Sequence, residues 1–289
     1  MKYAFVESLR GEYTVKNMCR WLSISRSGYY RWREREPSAR ALHREEVRKA
    51  VSQTFFDFNK IYGAPRITEE LNNLGVSCSE NHVAQLLREQ GLKARNGKAF
   101  KYTPPYEAET GVVPNLLNRS FTADRPNQKW VSDITYIAVD DGWIYLAVIM
   151  DLYSRQIIGW AMNDEMKVDL ILEAFNMAVD TRTVQPGLLL HSDRGVQYRA
   201  WEYQHALERH EIQPSMSRKA NCWDNAAMES FFSRLKVECV FPNQFATLTD
   251  AYQQVFEYIE IFYNRVRRHS AIGYRSPIQH EQQYYAQSA

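Results

Sequence analysis

Three carboxylates carry the strongest chemical signal in this chain. Asp133 lies inside a β-branched, aromatic run, Asp193 closes a fully apolar run, and Glu229 lies on an amphipathic stretch. The gaps between them are 59 and 35 residues. Each has an ordinary explanation alone: a strand-end Asp serves turns and caps, and a helical Glu is solvated. Together, carboxylates gathered without a cation repel one another and their pKa values rise. Hard oxygen donors suit Mg²⁺ or Mn²⁺, and no His/Cys spacing for zinc is present. Along 224–238, Met228, Phe231, Phe232 and Leu235 form a buried stripe, while Asn225, Glu229 and Lys236 share a polar face. Such a face presents a carboxylate to a metal with a lysine beside it for a phosphate.

The elements that must position these groups follow from patterning. Lys129–Val139, 144–152 and 156–162 read as three strands joined by short connections, hence an antiparallel meander. A helix at about 168–181, an apolar strand at 187–191, a helix at about 200–210, a short strand near Ile212, a loop at 215–223 and a helix at 224–238 follow. The order βββαβαβα predicts one mixed sheet with helices on its faces.

Ahead of this lies helical sequence. Residues 14–34 divide into two short helices around a Ser23–Ser25 turn, with Ser25 as cap and Arg26, Arg31 and Arg33 on the second helix. A helix at 43–58 precedes a second pair, Arg66–Leu74 and a helix behind an S-x-x-E box formed by Ser77 and Glu80. Lys93, Arg95, Lys98 and Lys101 then form a basic segment leading into Pro104–Pro105. These basic groups read either as phosphate contacts or as solvated surface. The predicted organisation is 1–40 and 41–102 as helix-turn-helix-like modules, 103–127 as linker, 128–240 as core, and 241–289 as a C-terminal helix with a basic tail.

Composition sets the bounds. The 289 residues carry 36 Lys+Arg against 34 Asp+Glu, a formal charge of +2, with 45% hydrophobic residues. That is globular composition, not disordered or fibrous. No apolar run reaches membrane-spanning length, the start lacks a signal-peptide core, and the four cysteines are scattered, so a cytoplasmic location is expected. The charge is uneven: residues 1–120 hold 20 Lys+Arg and 13 Asp+Glu, and the remainder holds 16 and 21.

Five segments then resemble one family in order: QKWVSDITYIAV, LAVIMDLYSRQIIGWAM, LLLHSDRGVQY, SMSRKANCWDNAAMESFFSRLKVE and YNRVRRHSAIGYRSP. They are similar to the motif blocks of bacterial insertion-sequence transposases of the OrfB (downstream-frame) type, in the retroviral-integrase-like DDE superfamily. KIYGAPRITEELNNLG and the MCRWLSISRSGYYRWRE block resemble that family's helix-turn-helix and N-terminal segments. The departures, Ala220 for a usual Gly and Ile272 for a usual Leu, leave the three acids untouched.

The resemblance implies an RNase H-like core preceded by all-α helix-turn-helix modules. It implies Asp133, Asp193 and Glu229 as a DDE triad holding two Mg²⁺ or Mn²⁺ ions about 3.5–4 Å apart, with Asp133 bridging both. Water would nick the element end, and the freed 3′-OH would attack a target phosphodiester. Double-stranded DNA is the implied partner, and a dimer or larger assembly and an upstream-frame protein or fusion are further expectations. His191, Gln197 and Asn225 are candidates for orienting the acids; His191 reads equally as a hydrogen-bonded strand-end histidine. Arg194, Arg218, Lys219, Lys236, Arg265, Arg267 and Arg268 are candidate phosphate contacts. Asp151 reads as a structural partner of Arg155, Asp224 as a helix cap, and Trp160 and Trp223 as core, with a Trp at the rim able instead to stack a splayed base. Two alternatives remain at this level: a DNA-binding regulator with a silent core, and a glycosidase using two of the carboxylates.

Overall fold

In the computed structural model, residues 1–95, 113–140, 142–218 and 222–288 are described. Lys98, Lys101, Lys219, Ala220, the Pro104–Pro105 pair and the first part of the expected linker lie outside them. Thr14 and Ser25 set the first module. Their hydroxyls accept from the backbone N–H of Asn17 and Gly28 and start α2 (Val15–Trp21) and α3 (Arg26–Glu34). An additional helix, α1 (Lys2–Ser8), closes the module, and Val6, Met18, Cys19 and Tyr29 form its core. Arg26, Arg31 and Arg33 all stay on the exposed surface.

The second module packs α4 (Ala39–Asp57), α5 (Ala64–Asn73) and α6 (Glu80–Glu89) around Val47, Val51, Phe55, Ile67, Leu71, Val83 and Leu86. The cap of α6 is Ser79, which accepts from His82 N–H, and not the expected Ser77. The reason is local. The Asn72 side chain bonds both the N–H and the carbonyl of Cys78, and the His43 ring donates to the Ser77 carbonyl. Both hold the chain out of helix until Ser79.

The core is a five-stranded sheet in the order β3-β2-β1-β4-β5. The strands are β1 (Lys129–Val139), β2 (Gly142–Asp151), β3 (Ile157–Asn163), β4 (Leu189–Ser192) and β5 (Gln213–Met216). β1, β2 and β3 pair antiparallel, while β4 and β5 run parallel to β1. Flanked by helices, this is the mixed RNase H-like sheet that the resemblance implied. The last strand takes in Ser215 and Met216, beyond the short strand expected near Ile212.

Strand alternation divides β1 between two cores. Val131 and Ile137 pack with α9 (Ala226–Leu235) and α10 (Leu248–Phe256). Trp130 packs on the other face, with α7 (Val168–Thr181) and α8 (Trp201–Arg209). The stretch expected to be a single helix at 224–238 and the expected C-terminal helix each change winding. α9 continues as a π-helical segment over Lys236–Val240, and α10 as another over Glu257–Tyr263. The C-terminal region ends in a further helix, α11 (Pro277–Ser288). No helix among the described residues is long and apolar enough to cross a membrane.

One close approach tests this packing. At Gly159 on β3, a Cβ would overlap the Ala174 carbonyl oxygen of α7 and lie 2.9 Å from the Ala178 Cβ. Both partners belong to a packed helix and yield little. Gly159→Ala is expected to destabilise the protein by about 1–3 kcal/mol, read as a melting temperature several degrees lower. An unchanged melting temperature contradicts the α7–β3 contact.

Candidate active site

The parallel pairing of β1 with β4 sets Val131 against His191. Two residues further along each chain stand Asp133 and Asp193, so the register brings the two side by side. Asp133 is half-buried on the face toward α9 and accepts from Ile134 N–H at 2.8 Å and from the Asn225 amide. Burial, then the charge of Asp193 and more weakly that of Glu229, push its carboxyl well above the usual range. Asp193 lies just past the end of β4, its outer edge exposed, and accepts from Gly195 N–H at 2.8 Å. Crowding by the surrounding protein raises its carboxyl too.

Glu229 projects from the first turn of α9 at an exposed position, with its carboxyl raised by partial burial. Among the described residues, no three His, Cys, Asp or Glu side chains converge closely enough to enclose an ion as they stand. Lys236 is the predicted basic residue placed beside these acids. Its ammonium lies 4.7 Å from the Tyr136 ring; burial lowers its pKa and the charge of Asp133 opposes that shift.

The three expected supporting residues divide. The Asn225 amide, at the start of α9, reaches Asp133 and the Ser132 carbonyl, while its buried Oδ1 has no partner. Gln197 donates to the Met166 carbonyl at 2.9 Å, tying the loop after β4 to the approach of α7. His191 serves a different purpose. It is fully buried, and its nitrogens lie 2.8 Å and 3.1 Å from the Ser215 and Ser217 hydroxyls. Burial lowers its pKa to about 4, so the ring is neutral at pH 7 and joins β4 to β5. Of the two readings left open, the structure gives the hydrogen-bonded strand-end histidine.

Two further residues matter: Gly195, which pattern does not single out, and Asp224, expected only as a helix cap. At Gly195, a Cβ would lie 3.0 Å from the Asp193 Oδ1 and 3.2 Å from the Gln197 Oε1, so this glycine keeps the carboxylate seated. The D-x-G spacing after an apolar strand is its signal. Asp224 is fully buried yet binds Arg218 through both oxygens, at 2.9 and 2.7 Å, and also Arg119 at 2.9 Å and Asn115 at 2.8 Å. It is thus a hub, not a helix cap; Asn225 holds the N-cap position of α9. Arg218 is half-exposed but engaged with that hub.

Other basic candidates are rearranged more strongly. Arg267 is buried and paired with Glu238 at 2.7 and 2.6 Å, while Arg268 binds Glu70 of α5 and the Tyr274 carbonyl. Neither faces solvent as a phosphate contact, because the chain from Phe262 to Arg268 turns back against the core and the second module. Arg265 is exposed and donates to the Glu260 carbonyl. Arg95 donates to the Glu238 carbonyl at 3.3 Å, whereas Lys93 is exposed. Arg194 is tied to the Ser217 carbonyl at 2.6 Å, and Arg33 lies 3.7 Å from Glu7. Asp151 is structural, but its partners are the N–H groups of Asn127 and Tyr153; Arg155 donates to the Phe121 carbonyl. Trp160 is core, whereas Trp223 is 68% exposed at the rim.

Asp224 generates a pH-dependent prediction. Hydrogen bonds from Arg218, against the cost of burial, hold its carboxyl far below the usual range. Its stabilisation is present above the unfolded carboxyl pKa and is lost as pH falls through the folded one. Asp224→Asn is expected to cost about 1–3 kcal/mol at pH 7, discounted because both arginines are half-exposed. Urea unfolding of both proteins should show the gap closing below about pH 4; a constant gap contradicts the hub.

Comparison with known proteins adds the lineage. Integrase core domain models match residues 123–222 and 210–277, and an HTH-like domain model matches residues 43–100. Transposase InsF for insertion sequence IS3A of Escherichia coli (strain K12) is 43% identical over 283 residues, 97% of this chain and 98% of that protein. The insertion element IS600 uncharacterized 31 kDa protein of Shigella sonnei is 39% identical over 94% of this chain and 100% of its own length. Among solved structures, the HTLV-2 integrase catalytic core domain in complex with magnesium is 17% identical, with a TM-score of 0.42 over 55% of this chain and 98% of that one. Identity at the level of the InsF match, sustained over nearly the whole length, establishes that the chain belongs to the transposases of IS3-type insertion sequences.

Proposed function

We propose that this transposase cleaves and joins DNA strands by metal-dependent phosphoryl transfer at Asp133, Asp193 and Glu229. The observation that carries the reading is the placement of Asp133. A carboxylate on the central strand is held beside Asp193 and within the field of Glu229, where burial and both carboxylate charges raise its pKa. Such a site is costly without a cation and relieved by one. The donors fit the group: they are carboxylate oxygens, the hard ligands that Mg²⁺ and Mn²⁺ prefer. The neighbouring histidine, His191, is committed to two serines.

Asp133 would hold both ions, and Asp193 and Glu229 one each. When bound, the ions supply an activated water or DNA 3′-OH and neutralise charge at the leaving oxygen. The chain's own residues do the positioning. The N–H groups of Ile134 and Gly195 fix one oxygen of Asp133 and of Asp193. Glu229, exposed on the first turn of α9, closes on the pair by changing rotamer. Lys236 extends toward the phosphate from beside Asp133. No serine or tyrosine nucleophile is required, because attack is direct.

Double-stranded DNA is the proposed substrate, gripped in part by the helical modules at 1–40 and 41–102 that precede the 128–240 core. Arg26, Arg31 and Arg33 on α3 and Lys93 are exposed candidates of that set, Arg33 lying 3.7 Å from Glu7. Handling two element ends favours a dimer or larger assembly, with an upstream-frame partner or fusion as a further component.

The test is strand nicking of a labelled element-end duplex with Mg²⁺ or Mn²⁺. Asp193→Asn is expected to lower the nicking rate by about 100-fold or more, with duplex binding retained. Nicking that survives the substitution, or that needs no divalent ion, contradicts the assignment.

A further inference from the structure

Beside α9, away from the carboxylates, lies a recess of about 360 Å³ lined by Arg66, Arg155, Arg234, Arg267, His269 and Ser230. Four guanidinium groups from four parts of the fold meet here: α5, the turn before β3, α9 and the segment after Tyr263. Only Arg267 has a carboxylate partner, Glu238, among the described residues. The Nε of Arg66 donates to the Arg268 carbonyl at 2.9 Å, and its guanidinium lies 5.5 Å from the centre of the Tyr62 ring. Arg155 donates to the Phe121 carbonyl at 2.8 Å. Arg234 is exposed on α9. Each of these three therefore keeps its full charge and some unused N–H donors.

The recess is electrostatically unfinished. Burial and the charges of Arg267, Arg66 and Arg155 hold His269 neutral, so it adds no cation and can accept the nearby Arg267 N–H. The flank of α9 also lines the cavity, through Ala226, Ala227, Ser230 and Arg234. Four convergent arginines with forked donors, set against the single paired carboxylate of Glu238, leave an excess of positive charge suited to a phosphate.

We propose that this recess seats a backbone phosphodiester of the bound DNA, one helix face round from Glu229. The proposal rests on the DNA-acting reading above. Ser230 and Arg234 follow Glu229 on the same helix, so the seated phosphate belongs to the strand that passes the carboxylates. Arg66 comes from the second helical module, and the same phosphate therefore ties that module to the core. A phosphate contact fixes register and carries no sequence information.

The test is duplex binding against salt concentration, with EDTA present so that no cleavage intervenes. The full chain, its Arg66→Gln/Arg234→Gln double variant and an Arg66→Lys/Arg234→Lys control are compared, with folding checked by circular dichroism melts. The Gln variant is expected to lower the slope of log affinity against log salt by about 2 and to weaken binding alike for every duplex sequence. The Lys control should keep the slope. Should Arg66→Gln disturb α5, the single Arg234→Gln change at an exposed position should still lower the slope by about 1. A folded Gln variant with an unchanged slope overturns the proposal. Inorganic phosphate is titrated in parallel by calorimetry. Binding of free phosphate that the variant abolishes, with the duplex slope intact, also overturns it and makes the recess a free-phosphate site. A wild-type chain without salt-dependent duplex binding overturns the subsite and the DNA-acting reading together.

Discussion

The site depends on holding like charges where they would not gather of their own accord. Asp133 and Asp193 come together because β1 and β4 pair in parallel, and Glu229 adds to the field from α9. The repulsion is borne by rigid surroundings. β1 is paired on both sides, to β2 over its full length and to β4 at its start. His191, immobilised between Ser215 and Ser217, fastens the strand that delivers Asp193 to its neighbour β5. Gly195 removes the side chain that would crowd the Asp193 carboxylate.

A second constraint joins the parts of the chain. Glu238, on the π-helical extension of α9, accepts from Arg267 and from the Tyr258 hydroxyl, and its carbonyl accepts from Arg95. Arg268 reaches Glu70 on α5, and the Tyr62 hydroxyl donates to the Val266 carbonyl. The arginines after Tyr263 thus fasten the second helical module to the core. Asp224 does similar work on the other side, gathering Asn115, Arg119 and Arg218. Much of the positive charge in this chain is therefore architectural, and the small net charge of +2 is a poor guide to which cations are free.

The strands, their antiparallel start and the core face of α9 were legible from alternation and helical spacing, because those patterns record burial directly. The three acids were legible as a set through motif resemblance, and each alone had an ordinary explanation. What escaped was pairing across distance. Nothing local in YNRVRRH distinguishes the buried Arg267 from the exposed Arg265, since the difference lies in Glu238, 29 residues away. Asp224 resembles a cap for the helix that follows, and only the fold brings Arg119 within reach. Ser77 satisfies a capping-box spacing, but Asn72 and His43 hold that turn away from the helix. The switches to π-helical winding after Leu235 and Phe256 have no evident local signal.

The three acids are proposed to form one divalent-ion site. Anomalous diffraction from crystals soaked in Mn²⁺ reads this out directly. Mn²⁺ density ligated by oxygens of Asp133 and Asp193 is expected, with the Glu229 side chain rotated in to complete it. Density confined to other carboxylates, or none at concentrations that saturate the soak, would contradict it.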